Sequence, residues 1–247
     1  MRQPKGAAFA RRAERSDGNP ARRAYEQNPK AVAAWMAETY PAIARRAKSE
    51  GAEVHRGDES SGERKPAEGS PQGGRGGGRQ TGVRSDCQHG RSDAPRGRTP
   101  VVRLRARRFS SNMISTVTNQ GKVRWMIYRE THSSAVFIRF LERLVKDAAR
   151  KVLLIVDNLK VHHSAPVKVW LLEHTARIEV FHLPSYSPER NPDEYLNGDR
   201  QTAVTSTTPA QNLDQLENKV IRHMRKLQRS PRHVASYFRN QYVQYAA

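Results

Sequence analysis

The stretch that decides the fold is Val152–Val156, which reads VLLIV and runs straight into Asp157 and Asn158. An unbroken run of branched apolar residues is typical of a strand buried on both faces, as strands of parallel sheets are. Ligands of open α/β sheets gather at the carboxyl ends of the strands, which is where Asp157 lies. A carboxylate there is costly unless it binds a cation or accepts hydrogen bonds. Position alone leaves two interpretations open: Asp157 belongs to a functional site, or it caps the following turn.

The sequence on both sides of this strand predicts further strands and helices. Short apolar runs predict strands at 101–104, 113–117, 123–128 and 178–183, with a turn at 119–121, and apolar residues spaced by three and four predict helices over 136–145, 167–171 and 213–227. Ser133 or Ser134 caps the first of these helices. Strands that come first as a meander and then alternate with helices imply an α/β fold, with a mixed sheet flanked by helices.

The chain ahead of residue 60 predicts a disordered start and a short helical region. Residues 1–22 have the composition of unstructured chain, and 23–51 form a helical lead-in with apolar residues on one face. The lead-in is expected to break at Pro41, which suits the first turn of a second helix, and to end at Gly51. Residues 53–59 suggest a short strand, although their apolar content is low.

Residues 60–82 have the composition of an unfolded loop. They hold 8 of the 16 glycines and contain no Val, Ile, Leu, Met or aromatic residue. Such a segment cannot bury enough apolar area to offset the entropy of ordering it, so we expect a flexible, positively charged, Gly/Arg-rich loop. Its short Gly/Arg core is similar to tracts that bind RNA. A basic RNA-binding protein is therefore one hypothesis, but it leaves the acidic residues described below unexplained.

Composition narrows the class of partner. The 247 residues include 44 Lys and Arg against 24 Asp and Glu, a net charge of +20. Such a charge indicates a polyanionic partner, because each phosphate that is neutralised releases condensed counterions. Nucleic acid is preferred to acidic lipid, since no basic helix has a broad apolar face.

No apolar run approaches the roughly 20 residues of a membrane span, and the N-terminus lacks a secretory signal. Cys87 alone forms neither an internal disulfide nor a zinc site.

A proline-rich segment, 184–194, comes directly after the strand predicted at 178–183 and reads PSYSPERNPDE. Three prolines fix its backbone, and Pro192 suits the first position of a helix whose first turn holds Asp193 and Glu194. In one interpretation the two acids only complement the helix dipole. In the other, the rigid loop aims Glu194 back at Asp157, and the rigidity favours this second interpretation.

Together these motifs resemble the signature of a known family. They are VDN at 156–158, His162, LPSYSP at 183–188 and NPDE at 191–194, with 36 residues between Asp157 and Glu194. They are similar to the signature of mariner-like insertion-sequence transposases, and most closely to that of the bacterial six-thirty family of insertion sequences in the DDE superfamily. The likeness covers about residues 23–59 and 82–247 and is most specific at 183–194.

The resemblance implies a ribonuclease-H-like catalytic domain over residues 52–247, interrupted by the insertion at about 60–82. It also implies a first aspartate at the end of the opening strand, where Gly57-Asp58-Glu59 matches the family pattern. Asp86 and Asp93 are the fallback candidates for that first position.

The resemblance implies that Asp58, Asp157 and Glu194 are the catalytic residues and the metal ligands. Three carboxylates can hold two Mg²⁺ ions, for which Mn²⁺ can substitute. The implied activity is metal-dependent cleavage and strand transfer in DNA transposition, without a covalent enzyme–DNA link. The implied partners are double-stranded DNA, as transposon ends and target, and a second copy of the chain in a homodimer. We expect that the protein binds neither a membrane nor a small-molecule substrate. We also expect that it is a cytoplasmic, nucleoid-associated protein of a bacterium.

Side chains near the expected site have more than one interpretation. His162 and His163 either orient Asp157, contact phosphate, or cap the next helix, which is the preferred interpretation. Lys122, Arg124 and Lys160 either meet the DNA backbone or are solvated surface charges, and for any one of them the second is preferred.

Three features depart from the family pattern. An N-terminal helix-turn-helix that reads transposon ends is expected to be missing, because only about 22 residues precede the helical lead-in. The insertion follows Asp58 directly, and Arg190 stands where the family has an apolar residue. These departures support an alternative hypothesis: a truncated, catalytically inactive transposase remnant that binds DNA or pairs with an intact transposase.

Overall fold

A computed structural model describes residues 27–60, 83–84, 110–206 and 208–247. Several expectations fall outside these ranges: the disordered start at 1–22, the insertion beyond Ser60, the strand at 101–104, and the positions of Asp86, Cys87 and Asp93. Within the described ranges, no helix is long and apolar enough to span a membrane.

The core of the molecule is a mixed sheet. Its strands are β1 Glu53–Ser60, β2 Val83–Arg84, β3 Ser110–Val117, β4 Val123–Tyr128, β5 Val152–Val156 and β6 Ile178–His182. β1 lies in the middle, antiparallel to β3 and parallel to β5. β4 pairs antiparallel with β3, and β6 pairs parallel with β5. β2 pairs with the first two residues of β3, just beyond the five residue pairs that join β3 to β1.

β5 is the buried strand that its sequence predicts. All five of its residues are at most 3% exposed, because parallel neighbours flank it and helices cover both faces. Leu153 and Ile155 pack toward the N-terminal helices, whereas the alternate residues pack against the opposite face.

Helices cover both faces of the sheet. They are α1 Pro29–Ala34, α2 Tyr40–Glu50, α3 Ser134–Asp147, α4 Ala165–Glu173, α5 Asp193–Thr205, α6 Leu213–Gln228 and α7 Pro231–Ser236. α3 and α4 pack on one face, while α2, α5, α6 and α7 pack on the other. Ser133 is the residue that caps α3, accepting a hydrogen bond from the Val136 amide. The α/β fold with a mixed sheet flanked by helices is therefore confirmed.

The helical lead-in changes type where a break was predicted. A π-helical turn, Trp35–Thr39, joins α1 to α2, and the Tyr40 amide donates to the Trp35 carbonyl five residues back. Pro41 has no amide to donate, and its ring would clash with a carbonyl in a regular α-helix, so the wider turn accommodates it in the first turn of α2. Gly51, with φ of 60°, ends α2 in the left-handed conformation.

Candidate active site

Three acidic side chains from distant parts of the chain line one cavity of about 350 Å³. Asp58 comes from the central strand β1, Asp157 follows the last residue of β5, and Glu194 lies in the first turn of α5. β1 and β5 run parallel, so their carboxyl ends meet at the same edge of the sheet. The structure therefore brings together the three residues that the sequence singles out.

Asp58 reaches the cavity because side chains alternate along a strand. Its neighbour Glu59 lies on the other side, where it accepts a 2.8 Å hydrogen bond from the Tyr128 hydroxyl. Gly57 allows β1 to lie close to β3: a Cβ there would come 2.9 Å from Thr116 Cγ2 and 3.1 Å from the Ser115 carbonyl oxygen. Asp58 itself is only 9% exposed.

The charge around Asp58 favours a bound cation. Burial, followed by the negative charges of Glu194, Asp193 and Asp157, raises the pKa of Asp58 well above its usual range. Carboxylate oxygens are the ligands that Mg²⁺ prefers, and a divalent cation would relieve this repulsion. The donor set therefore fits Mg²⁺ or Mn²⁺. In the described part of the chain, no three His, Cys, Asp or Glu side chains are already arranged to hold an ion, so joint ligation requires these carboxylates to move closer together.

Asp157 is contacted by a buried histidine. Nδ1 of His162 lies 3.1 Å from the Asp157 carbonyl oxygen and 3.3 Å from its carboxylate Oδ1. The His162 ring is 4% exposed and packs against Phe137, with ring centroids 4.3 Å apart. The first turn of α4 receives no side-chain cap. The preferred interpretation of His162 as a helix cap is therefore wrong, because its ring nitrogen is directed at Asp157 instead.

The proline-rich loop is tied to β1 next to Asp58. Asn191 donates a 3.0 Å hydrogen bond from Nδ2 to the Gly57 carbonyl and accepts one from the Asp193 amide. Gln27 contacts the other side of the loop, donating to the Tyr186 carbonyl at 3.1 Å. These bonds fix the loop at both ends, which positions the first turn of α5 and Glu194 at the cavity.

One face of α5 carries a stripe of buried polar residues that the sequence analysis did not predict. Asp193, Asn197 and Arg200 are all buried on the face of α5 that packs on the sheet. Their spacing of four and three residues, with Leu196 between them, is a helical period that could have revealed them. Asn197 Nδ2 donates to Asp58 Oδ2 at 2.9 Å, and Arg200 Nη1 donates to Ser60 Oγ at 2.6 Å.

Asp193 does more than complement the helix dipole. It is fully buried and accepts a 2.7 Å hydrogen bond from the Ser115 hydroxyl of β3. Burial raises its pKa to about 7, although this bond and the positive charge of Arg200 oppose the shift.

Two of the basic residues considered in the sequence analysis, Arg190 and Lys122, have specific partners. Arg190 donates to the Tyr242 carbonyl at 3.2 Å, so it is paired with the C-terminal segment rather than buried without a partner. Lys122, just before β4, forms an ion pair with Glu53 at the start of β1. Lys160 is exposed.

The sequence profile of the DDE superfamily endonucleases matches residues 80–217, more than half of the chain. The chain belongs to this family. The matched region includes Asp157 and Glu194, whereas Asp58 lies ahead of it. A comparison with curated proteins gives no match.

Solved structures of Mos1 transposase share the fold of this chain. The Mos1 strand transfer complex superimposes with a TM-score of 0.58 at 14% identity, covering 95% of this chain and 67% of that one. The Mos1 mariner paired end complex with Mn gives 0.55 at 14% identity, with coverages of 95% and 68%. The Mos1 catalytic domain with Raltegravir and Mg gives 0.52 at 11% identity, with coverages of 90% and 98%. These likenesses show a ribonuclease-H-like fold.

Proposed function

We propose that this DDE endonuclease is the catalytic domain of a transposase, which cuts DNA strands and joins them to a target in a metal-dependent reaction. The observation that carries the proposal is the meeting of Asp58, Asp157 and Glu194 in one cavity at the carboxyl ends of two parallel strands. In this proposal residues 52–247 form the catalytic domain and 23–51 form the helical lead-in, of which α2 packs against β5.

The three carboxylates are the proposed metal ligands. Two bound Mg²⁺ or Mn²⁺ ions would activate the attacking oxygen and stabilise the leaving oxygen of an in-line displacement at phosphorus. Asn197 holds one oxygen of Asp58 by its 2.9 Å hydrogen bond. The His162 ring contacts Asp157, 3.1 Å from its carbonyl oxygen and 3.3 Å from its carboxylate. The Asn191 bond to β1 keeps Glu194 in place.

Double-stranded DNA, as transposon ends and target, is the proposed substrate. The net charge of +20 supports a polyanionic partner. Solved Mos1 complexes include strand transfer and paired end assemblies, with Mn in one of them, which supports DNA, a divalent metal and a homodimer for this chain as well. The motifs at 156–158 and 183–194 support membership in the bacterial six-thirty family of insertion sequences.

Metal-dependent nicking of supercoiled plasmid DNA tests the proposal. The purified chain should nick with Mg²⁺ or Mn²⁺ and stop on addition of EDTA, and Glu194→Ala should remove the activity while leaving salt-sensitive DNA binding intact. Absence of nicking by the wild-type chain, with binding retained, would instead support the inactive transposase remnant.

A further inference from the structure

A cleft of about 430 Å³ runs along β4, away from the acidic cavity. β4 pairs only with β3 in the described part of the chain and so forms one edge of the sheet. α3 packs on one face of β4 and α6 on the other, so the two helices form the walls and the strand edge forms the floor. Asp58, Asp157 and Glu194 line a different cavity, which lies at the ends of the central strands β1 and β5.

The lining of this cleft is basic on all three sides. Arg124 comes from β4, Arg143 from α3 and Arg225 from α6. Asp147 is the one acidic residue that lines the cleft, and its carboxylate lies 3.9 Å from Arg124 Nε. Arg143 and Arg225 are both exposed. Three guanidinium groups against one carboxylate leave the cleft with an excess of two positive charges.

The positive charge continues along the outer surface of α6. Arg222, Lys226 and Arg229 are exposed and recur at spacings of four and three residues, beside Arg225. The acidic residues of α6, Asp214 and Glu217, lie in its first half, where both pair with Arg129. After Glu217 the sequence contains no Asp or Glu up to residue 247. No acidic residue from the last part of the chain therefore offsets this surface.

We propose that the cleft between α3 and α6 binds the phosphodiester backbone of duplex DNA, at a contact separate from the acidic cavity. Arginine suits this role because its planar guanidinium matches phosphate oxygens and stays charged. A second copy of the chain is the other candidate occupant, since an open strand edge can pair with another strand. The local charge argues against it, because pairing two copies through this strand edge would bring the same three arginines against each other, whereas phosphates would neutralise them. The inference rests on the proposed function only in taking DNA as the partner.

The test measures DNA binding without metal. Fluorescence anisotropy with a labelled duplex, in EDTA and over a range of salt concentrations, compares the wild-type chain with Arg143→Gln/Arg225→Gln. The matched control is Arg45→Gln/Lys48→Gln, which removes two exposed positive charges from α2. Each lost phosphate contact lowers the slope of log K against log salt by about 0.9. We expect the cleft variant to lose about 1.8 from the slope and about 60-fold in affinity near 0.1 M salt, and the control to keep the wild-type slope.

A charge-retaining variant and a measurement of self-association complete the test. Arg143→Lys/Arg225→Lys retains the charge and should recover most of the slope. Equal losses of slope in the cleft variant and the control would overturn the proposal. Unchanged DNA binding with altered self-association in sedimentation would also overturn it, and would assign the cleft to a second copy of the chain. The assay contains no metal, so its outcome is independent of cleavage. A chain that never nicks but shows the slope change loses only the proposed function, and a chain that nicks without the slope change loses only this inference.

Discussion

The side-chain amide of Asn197 donates a 2.9 Å hydrogen bond to the carboxylate of Asp58, across 139 residues of sequence. Asn197 lies one turn after Glu194 on α5, so the helix that supplies one carboxylate of the cavity also fixes another. The geometry of the site therefore depends on how α5 packs against β1, and not only on the three acidic residues.

Asn197→Ala should weaken the site without unfolding the chain. Removing this donor leaves Asp58 with less support for its charged form, so we expect the Mn²⁺ concentration for half-maximal nicking to rise by about 10- to 100-fold, the usual cost of losing a partner of a metal ligand. Asn218→Ala, at an exposed position of α6, is the control. An unchanged Mn²⁺ requirement in the Asn197 variant would show that the hydrogen bond has no part in the site.

His162→Ala should have a similar effect through Asp157. Its ring nitrogen lies 3.3 Å from the carboxylate, so its removal frees Asp157 to turn away from the cavity. We expect Mn²⁺ binding, measured by calorimetry on the metal-free protein, to weaken by about 10-fold or more. His162→Asn retains a nitrogen donor near the same place and should recover part of the affinity. His174→Ala, at the residue that follows α4, serves as the control. Equal affinities in all three variants would contradict the account.

Glu53 makes the stability of the chain depend on acid pH. The pKa of Glu53 is lowered to about 2, mainly by the hydrogen bond with His55. Burial raises this pKa, but the hydrogen bond and the positive charge of Lys122 lower it further. A carboxylate with a lowered folded-state pKa stabilises the fold above its ordinary pKa, near 4.5, and loses that contribution as pH falls toward 2. Glu53→Gln should therefore melt below wild type at pH 7, and the two melting temperatures should converge between pH 4.5 and 2. Exposed Glu142→Gln should follow wild type throughout, and a constant gap for Glu53→Gln would contradict the assignment.

Leu154→Ala should destabilise the fold strongly. Leu154 is fully buried in the middle of β5, and truncation there leaves a cavity between packed layers. We expect the free energy of unfolding to fall by about 2–5 kcal/mol, measured by denaturant titration. Leu172→Ala, at a position 74% exposed on α4, should change it by less than about 0.5 kcal/mol. Comparable losses in the two variants would mean that β5 is not the packed centre of the sheet.

The parts of the fold that depend on apolar periodicity could be predicted from the sequence. The run VLLIV predicted β5, and the stripe over 136–145 predicted α3, because burial of these residues is the direct consequence of their hydrophobicity. The rigid 184–194 segment likewise predicted where Glu194 would lie.

β1 was harder to predict because its burial depends on tertiary partners. Its sequence EVHRGDES has one branched apolar residue, yet Arg56 is fully buried, with its guanidinium donating to the Tyr40 hydroxyl at 2.7 Å and lying over the Phe238 ring. No local pattern contains these partners, which lie far apart in the sequence. His162 was misassigned for a different reason: its partner Asp157 is only five residues away, and a 3-10 turn at Lys160–His163 directs the ring toward it.

The nicking rates of three single variants test the central claim most directly. Asp58→Asn, Asp86→Asn and Asp93→Asn are compared with the wild-type chain on supercoiled plasmid with Mn²⁺. If Asp58 completes the site with Asp157 and Glu194, Asp58→Asn abolishes metal-dependent nicking, while the other two variants nick at the wild-type rate. Nicking that survives Asp58→Asn and disappears in Asp86→Asn or Asp93→Asn would contradict the account.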